Sequence, residues 1–427
     1  MEFQLTPGLL LGAALQTGGG GQNSSWYGWY RRGYIKDNAD PSTAADGRKY
    51  WREDLDRMAA MGIRCCRWGI EWSQVEPREG VFDEAAIARC REVLAAMAER
   101  GIRPLLTLHA FANPLWLEEK GAFAARDSVT YFLRYVRRAV EGVGDLAEEF
   151  LTFDQPNLYA FRGYLDASWP PGRHSLMDLA RACTNLAAAH IEAYGLIRKT
   201  RLQMGYPDTR VSFAGHWRFF VPQDPRNPVH RFWASRAEQL FQGSLARAMC
   251  MGRTGFPVGR HPAIVPGRYC DFHAVSYYAR STISGPAAAP AAQGPRSGLG
   301  WEIDPAGIAA ACRTLHSLLP RPIYIAANGV CDSGDAFRAR YIAEHLQALC
   351  RSGLPVERYY YHSLCDGWEG LEGTSARFGL VHVNFASQAR TVKASGEFFR
   401  QVIAQGGVSQ ALYRQYCSAP YPGEELA

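Results

Sequence analysis

A single (β/α)8 barrel of the TIM type, an α/β fold, is predicted by three features of the 427-residue sequence: short apolar β-type runs alternate with longer amphipathic stretches, the alternation repeats about eight times, and no linker divides it. The expected strands end near Leu15, Gly69, His109, Asp154, Gly215, Tyr277, Ala326 and Leu364. Between them the spacing of apolar residues fits helices over 52–61, 83–100, 129–142, 177–200, 305–319 and 336–352. Asp83 and Asp335 stand where an acid suits a helix N-terminus, whose exposed N–H groups attract negative charge. The Ala-, Pro- and Gly-rich segment 284–300 breaks the rhythm and lacks apolar bulk. It is expected as a mobile loop on the C-terminal face, where barrel active sites lie. Residues 1–427 are thus read as one domain closing on a frayed tail, 418–427.

Composition narrows the class of partner. Hydrophobic residues make up 47% and charged residues 21%, which excludes a disordered chain, a collagen-like fibre or a small disulfide scaffold. A net charge of +6 is too dilute over this length to imply nucleic acid, and there is no block of like charges. The 11 cysteines lie between Cys65 and Cys417 without a C-x-x-C pair or zinc-like spacing, so reduced, mostly buried thiols and no metal are expected. The glycine run Gly18 to Gly21 lacks the Lys-Ser/Thr of a phosphate-binding loop, and no cofactor is expected. The apolar run Leu9 to Leu15 has no preceding Lys or Arg and is too short to cross a bilayer, which favours a cytoplasmic protein without a membrane partner. Arginine nearly replaces lysine throughout, as in GC-rich bacterial genomes, while oligomeric state leaves no signal.

Longer motifs carry a family resemblance. Residues 151–164, L-T-F-D-Q-P-N-L-Y-A-F-R-G-Y, followed by W-P-P-G at 169–172, resemble the T-F-N-E-P-N region of glycoside hydrolase family 1, the β-glucosidase family. R-W-G-I-E-W-S at 67–73, T-L-H-A-F-A-N-P at 107–114 and D-F-H-A-V-S-Y-Y at 271–278 are similar to its second-, third- and sixth-strand motifs. P-I-Y-I-A-A-N-G-V at 322–330 is similar to the nucleophile motif P-I-Y-I-T-E-N-G-V, and residues 363–383 resemble the eighth-strand sugar-binding loop and the segment after it. Several motifs in the right order along nearly the whole chain imply the same barrel.

Retaining glycosidases need two carboxylates flanking the scissile bond. By the resemblance, the acid/base position is Gln155, a neutral amide, and the nucleophile position is Ala327, which has no heteroatom. Neighbouring positions differ as well: the family's sugar-binding histidine falls at Ala110, the adjoining tryptophan at Phe111, and the asparagine before the acid/base at Asp154. The asparagine of N-Y-Y is Ser276 with Tyr278 kept, and the eighth-strand tryptophans are His362 and Gly370 with Glu369 kept. Gln16 matches the family's sugar-binding glutamine across a short deletion.

Ala110, Gly370 and Ala327 stand for larger residues, so an enlarged pocket that binds glucose poorly is expected. Candidate ligand-binding residues are Gln16, Arg67, Phe111, Gln155, Tyr278 and Glu369. Strand alternation aims Asp154 away from the old acid/base site, where with His362 it forms a candidate catalytic pair for cyclisation, elimination or isomerisation. Structural roles stay open beside this: Asp154 as partner of Arg67, His362 as filler for a lost indole, and Glu369 as a loop anchor. His109 and Trp72 read as supports of the barrel mouth, and Trp26, Trp29 and Trp51 as core or rim packing. Three functions are consistent with these residues: a repurposed, non-hydrolytic enzyme acting on a larger and less polar small molecule in bacterial specialised metabolism, a non-catalytic pseudo-glycosidase binding a carbohydrate or protein, and an atypical glycosidase.

Overall fold

Eight parallel strands close into a barrel in a computed structural model that describes residues 1–16, 20–44, 47–286 and 294–424. They are β1 Leu10–Ala14, β2 Cys65–Gly69, β3 Arg103–Thr107, β4 Glu149–Asp154, β5 Arg210–Pro222, β6 His273–Ile283, β7 Ile323–Asn328 and β8 Val356–Tyr361. Each pairs with the next, and β8 returns to β1 with Leu11 opposite Tyr359. The expected α/β barrel is therefore the observed one. Gly12 permits the closure, since a Cβ there would collide with the Cys65 carbonyl and the Tyr360 ring.

Side chains fill the barrel interior. Leu105, Leu151, Ala214 and Tyr360 belong to one buried cluster, and the Phe272 ring stacks on Tyr324 with centroids 4.2 Å apart. At the N-terminal strand ends, Arg210 Nη1 donates to the Tyr324 hydroxyl (2.6 Å), which donates to Glu149 Oε1 (2.5 Å). These bonds cross the N-terminal end of the barrel, opposite the C-terminal end where barrel ligand sites lie.

Helices pack outside, among them Glu84–Glu99, Ser128–Val143, Leu176–Gln203 and Arg338–Arg351. Asp83 caps the first of these, with Oδ1 accepting from the backbone N–H of Ala85 (2.8 Å) and Ala86 (3.1 Å). Asp83→Ala is expected to cost about 1 kcal/mol of stability, read from urea unfolding. Asp335 is different from its expected role. It binds Arg338 Nε (2.7 Å) and Ser395 Oγ (2.6 Å), whereas Asp332 Oδ2 accepts the N–H groups of Phe337 (2.8 Å) and Arg338 (3.0 Å) at the helix start.

Three further details stand beside the expectations. β5 and β6 run well past Gly215 and Tyr277, pairing as far as Pro222 and Ile283 in a ribbon that overhangs the open end. Of the segment 284–300, residues 287–293 lie outside the described residues, but the part from 294 packs down: Ser297 is buried and Gly298 N–H donates to the Cys331 carbonyl. The tail is anchored as far as Glu424, because Tyr421 is buried with its hydroxyl on Glu344 (2.8 Å) and Glu424 pairs with Arg340 (2.7 Å). All 11 cysteines are free and nine are buried. Among the described residues no helix is long and apolar enough to cross a membrane.

Candidate functional site

The open end holds a cavity of about 460 Å³, within the size range of small-molecule sites. Gln16 follows β1, Arg67 lies in β2, Phe111 follows β3, Asp154 ends β4 and Gln155 follows it; all line it. Tyr278 from β6, and His362 and Glu369 after β8, complete the set expected from sequence. Ala110 and Gly370 also line the cavity. Ala327 does not; it is fully buried in β7, opposite Ser276.

Alternation fails where it matters most. The β4–β5 register shifts between Leu151 and Asp154, and Gln155 has left-handed backbone with φ 49° at the start of the helix Pro156–Tyr164. Asp154 and Gln155 therefore both reach the cavity instead of opposite faces. Asp154 is not paired with His362. Its Oδ2 lies 2.5 Å from Arg67 Nη1, with both side chains under a tenth exposed (4% and 9%). Burial holds the Tyr278 hydroxyl well above the ordinary tyrosine range, opposed by Arg67 and reinforced by the Asp154 and Glu369 carboxylates.

A second cluster joins the two ends of the chain. Gln16 Nε2 donates to Glu369 Oε1 (2.7 Å), and His362 Nε2 lies 3.2 Å from Glu369 Oε2 and 3.3 Å from Gln16 Nε2. One ring nitrogen cannot both donate to a carboxylate and accept from an amide. The tautomer consistent with all three positions carries the proton on Nε2, directed at Glu369, while the Gln16 amide is satisfied by Oε1.

A third cluster has no counterpart among the residues expected from sequence. His216 Nδ1 lies 2.7 Å from Gln155 Oε1, and Arg218 Nε lies 3.4 Å from His216 Nε2. Arginine only donates, so Nε2 accepts and Nδ1–H donates to Gln155. Burial first, then the positive charges of Arg218 and Arg162, push His216 well below the ordinary histidine range, which fits this neutral form. The signal is present in R-V-S-F-A-G-H-W-R-F-F, where His216 and Arg218 interrupt an apolar strand run. Aromatic rings supply another wall: Trp26 lies 5.4 Å from Trp169 and 5.0 Å from Trp368, and Phe111 lies 5.1 Å from Trp169. Trp72 and His109 stay behind the wall, with Trp72 stacked on Tyr135 and His109 bonded to Asn113.

Six buried polar atoms on cavity residues have no hydrogen-bond partner among the described residues: Gln16 Oε1, Arg67 Nε, Thr107 Oγ1, Asp154 Oδ1, His362 Nδ1 and Trp368 Nε1. Such atoms are uncommon in folded interiors and concentrate where ligands or ordered water bind. The cavity thus offers an aromatic shelf, a neutral Arg67–Asp154 pair and an imidazole–carboxylate pair capable of proton exchange.

Comparison with known proteins agrees with this architecture. The family model described as glycosyl hydrolase family 1 matches residues 11–258 and 272–408. β-Glucosidase A of Thermotoga maritima is 26% identical over 93% of this chain and 95% of its own length. A galactolipid galactosyltransferase of Arabidopsis thaliana is 26% identical over 86% of this chain and 60% of its own. Among solved structures, a β-glycosidase from Pyrococcus horikoshii superposes with a TM-score of 0.88 at 28% identity, covering 97% of this chain and 98% of that one.

Proposed function

Because the chain belongs to glycosyl hydrolase family 1, we propose that it keeps the family's barrel mouth as a small-molecule site but has lost retaining hydrolysis, and that it moves a proton on a non-glycosidic ligand. One observation carries this reading. The Asp154 carboxylate is taken by Arg67, Gln155 is neutral and bonded to His216, and Ala327 is fully enclosed, so no carboxylate pair stands ready at those positions. His362 and Glu369 remain, 3.2 Å apart through Nε2 and Oε2, and serve as the acid–base pair. Asp154, the other expected catalytic residue, is assigned to holding Arg67. The reaction class is isomerisation, cyclisation or elimination. A biosynthetic role in a bacterial cytoplasm belongs to the same reading, and a relative named as a transferase is consistent with family chemistry beyond hydrolysis.

Incubation with a small-molecule extract, followed by mass spectrometry, tests it. We expect consumption of a compound to give a product of unchanged mass or one lighter by a small neutral molecule. His362→Ala and Glu369→Gln should each slow this by at least about tenfold. An extract left unchanged, or turnover by both variants equal to that of the parent, would exclude the assignment. A second reading, carbohydrate binding without catalysis, is favoured by the Gln16–Glu369 bond and the unpartnered Gln16 Oε1. A rise in Tm with millimolar glucose would support that reading instead.

A further inference from the structure

We infer that the cavity wall built by β5 and the helix Pro156–Tyr164 is an oxyanion subsite, in which Arg218 and Arg162 hold a carboxylate or phosphate group of the ligand. Arg218 is fixed at both ends. Its backbone N–H donates to Gln242 Oε1 (3.0 Å), and its guanidinium reaches Ser281 Oγ through Nη1 (3.1 Å) and His216 through Nε (3.4 Å). None of these partners is negative, and Arg218 has no acidic partner among the described residues. Arg67, on the far side of the same cavity, is neutralised by Asp154. Arg162 spans the rim, with Nη1 on Asp166 (2.9 Å) and its side chain 41% exposed. The two guanidinium groups feel each other: burial first, and Arg162 second, lower Arg218 to about 10, so it still carries its charge at neutral pH.

A partly buried cation without a counter-ion is costly, and the planar guanidinium fork fits the paired oxygens of a carboxylate or phosphate. An oxyanion at Arg218 would supply what the protein leaves out there. Gln16 follows β1, diametrically across the eight-stranded barrel from β5, and bonds to Glu369. The ligand that fits is therefore bipolar, with its anionic end at Arg218 and its neutral hydrogen-bonding end at Gln16 and Glu369. This inference rests on the cavity being a ligand site, and it does not depend on proton transfer.

Titration calorimetry of the intact protein with phenyl phosphate, benzoate and neutral benzyl alcohol, at constant ionic strength, tests it. At least one anion should bind while the alcohol does not. Tighter phenyl phosphate identifies a phosphorylated ligand, and tighter benzoate a carboxylic acid. Arg218→Met should weaken the bound anion by about tenfold or more and Arg162→Met by severalfold, while Arg218→Lys retains part of the affinity. If Arg218→Met fails to fold, the Arg218→Lys and Arg162→Met titrations decide. Failure of both anions to bind, or binding unmoved by these substitutions, would overturn the inference. No turnover is read, so a failure here is distinct from failure of the acid–base reading.

Discussion

Asp154→Asn is expected to destabilise the folded protein by about 3–5 kcal/mol, because it removes the partner of a buried guanidinium that stays charged. Arg67 and Asp154 are both under a tenth exposed and 2.5 Å apart, so each recovers little of its lost solvation except from the other. A loss of this size is a large part of a typical total stability of about 5–15 kcal/mol. Replacing the pair together, as Arg67→Met with Asp154→Leu, should recover most of it, since the desolvation cost of both charges disappears. Urea unfolding of the two single variants and the double variant measures the coupling. An Asp154→Asn protein as stable as the parent would mean that the carboxylate does not hold Arg67, and would return Asp154 to candidacy as a proton carrier.

Placing glutamates at 155 and 327, the positions that the proposed reading takes as the two missing carboxylates, is expected to give little hydrolysis. A glutamate in place of Gln155 would accept from His216 Nδ1 where Gln155 Oε1 now does, with the positive charges of Arg218 and Arg162 nearby, and would be held ionised. An ionised carboxylate cannot protonate a leaving group. A glutamate in place of Ala327 would enter a fully enclosed position in β7, where burying its charge is costly even with the Ser276 hydroxyl opposite. Gln155→Glu with Ala327→Glu should therefore remain about 10⁴-fold or more below a functioning β-glucosidase on an aryl glucoside, and should lose stability. Efficient nitrophenol release by this variant would mean that the cavity still fits a glycoside.

The barrel is legible in the sequence because its strands are apolar runs and its helices carry a 3.6-residue period, signals that tertiary packing does not overturn. Residues at special backbone positions are not. A regular strand alternates, so Asp154 and Gln155 are expected to diverge, but the left-handed conformation of Gln155 turns both toward the cavity. Asp335 has the right residue type near a helix start, and only the fold reveals that Asp332 reaches the N–H groups. Arg218 does not stand out because a charge in an apolar strand reads as an interruption until the neighbouring strands and helix are in place around it. The same holds for Tyr421, whose Pro- and Gly-containing surroundings read as a loose end, although its ring packs on Phe337.

Nitrophenol release from 4-nitrophenyl β-glucoside and β-galactoside by the unaltered protein, followed from about pH 5 to 8, tests the loss of retaining hydrolysis most directly. With Gln155 neutral and Ala327 unable to attack, release should match buffer alone at every pH, with no initial burst even at high protein concentration. Sustained multiple turnovers that disappear in Glu369→Gln would contradict this and identify the cavity as a working glycosidase site.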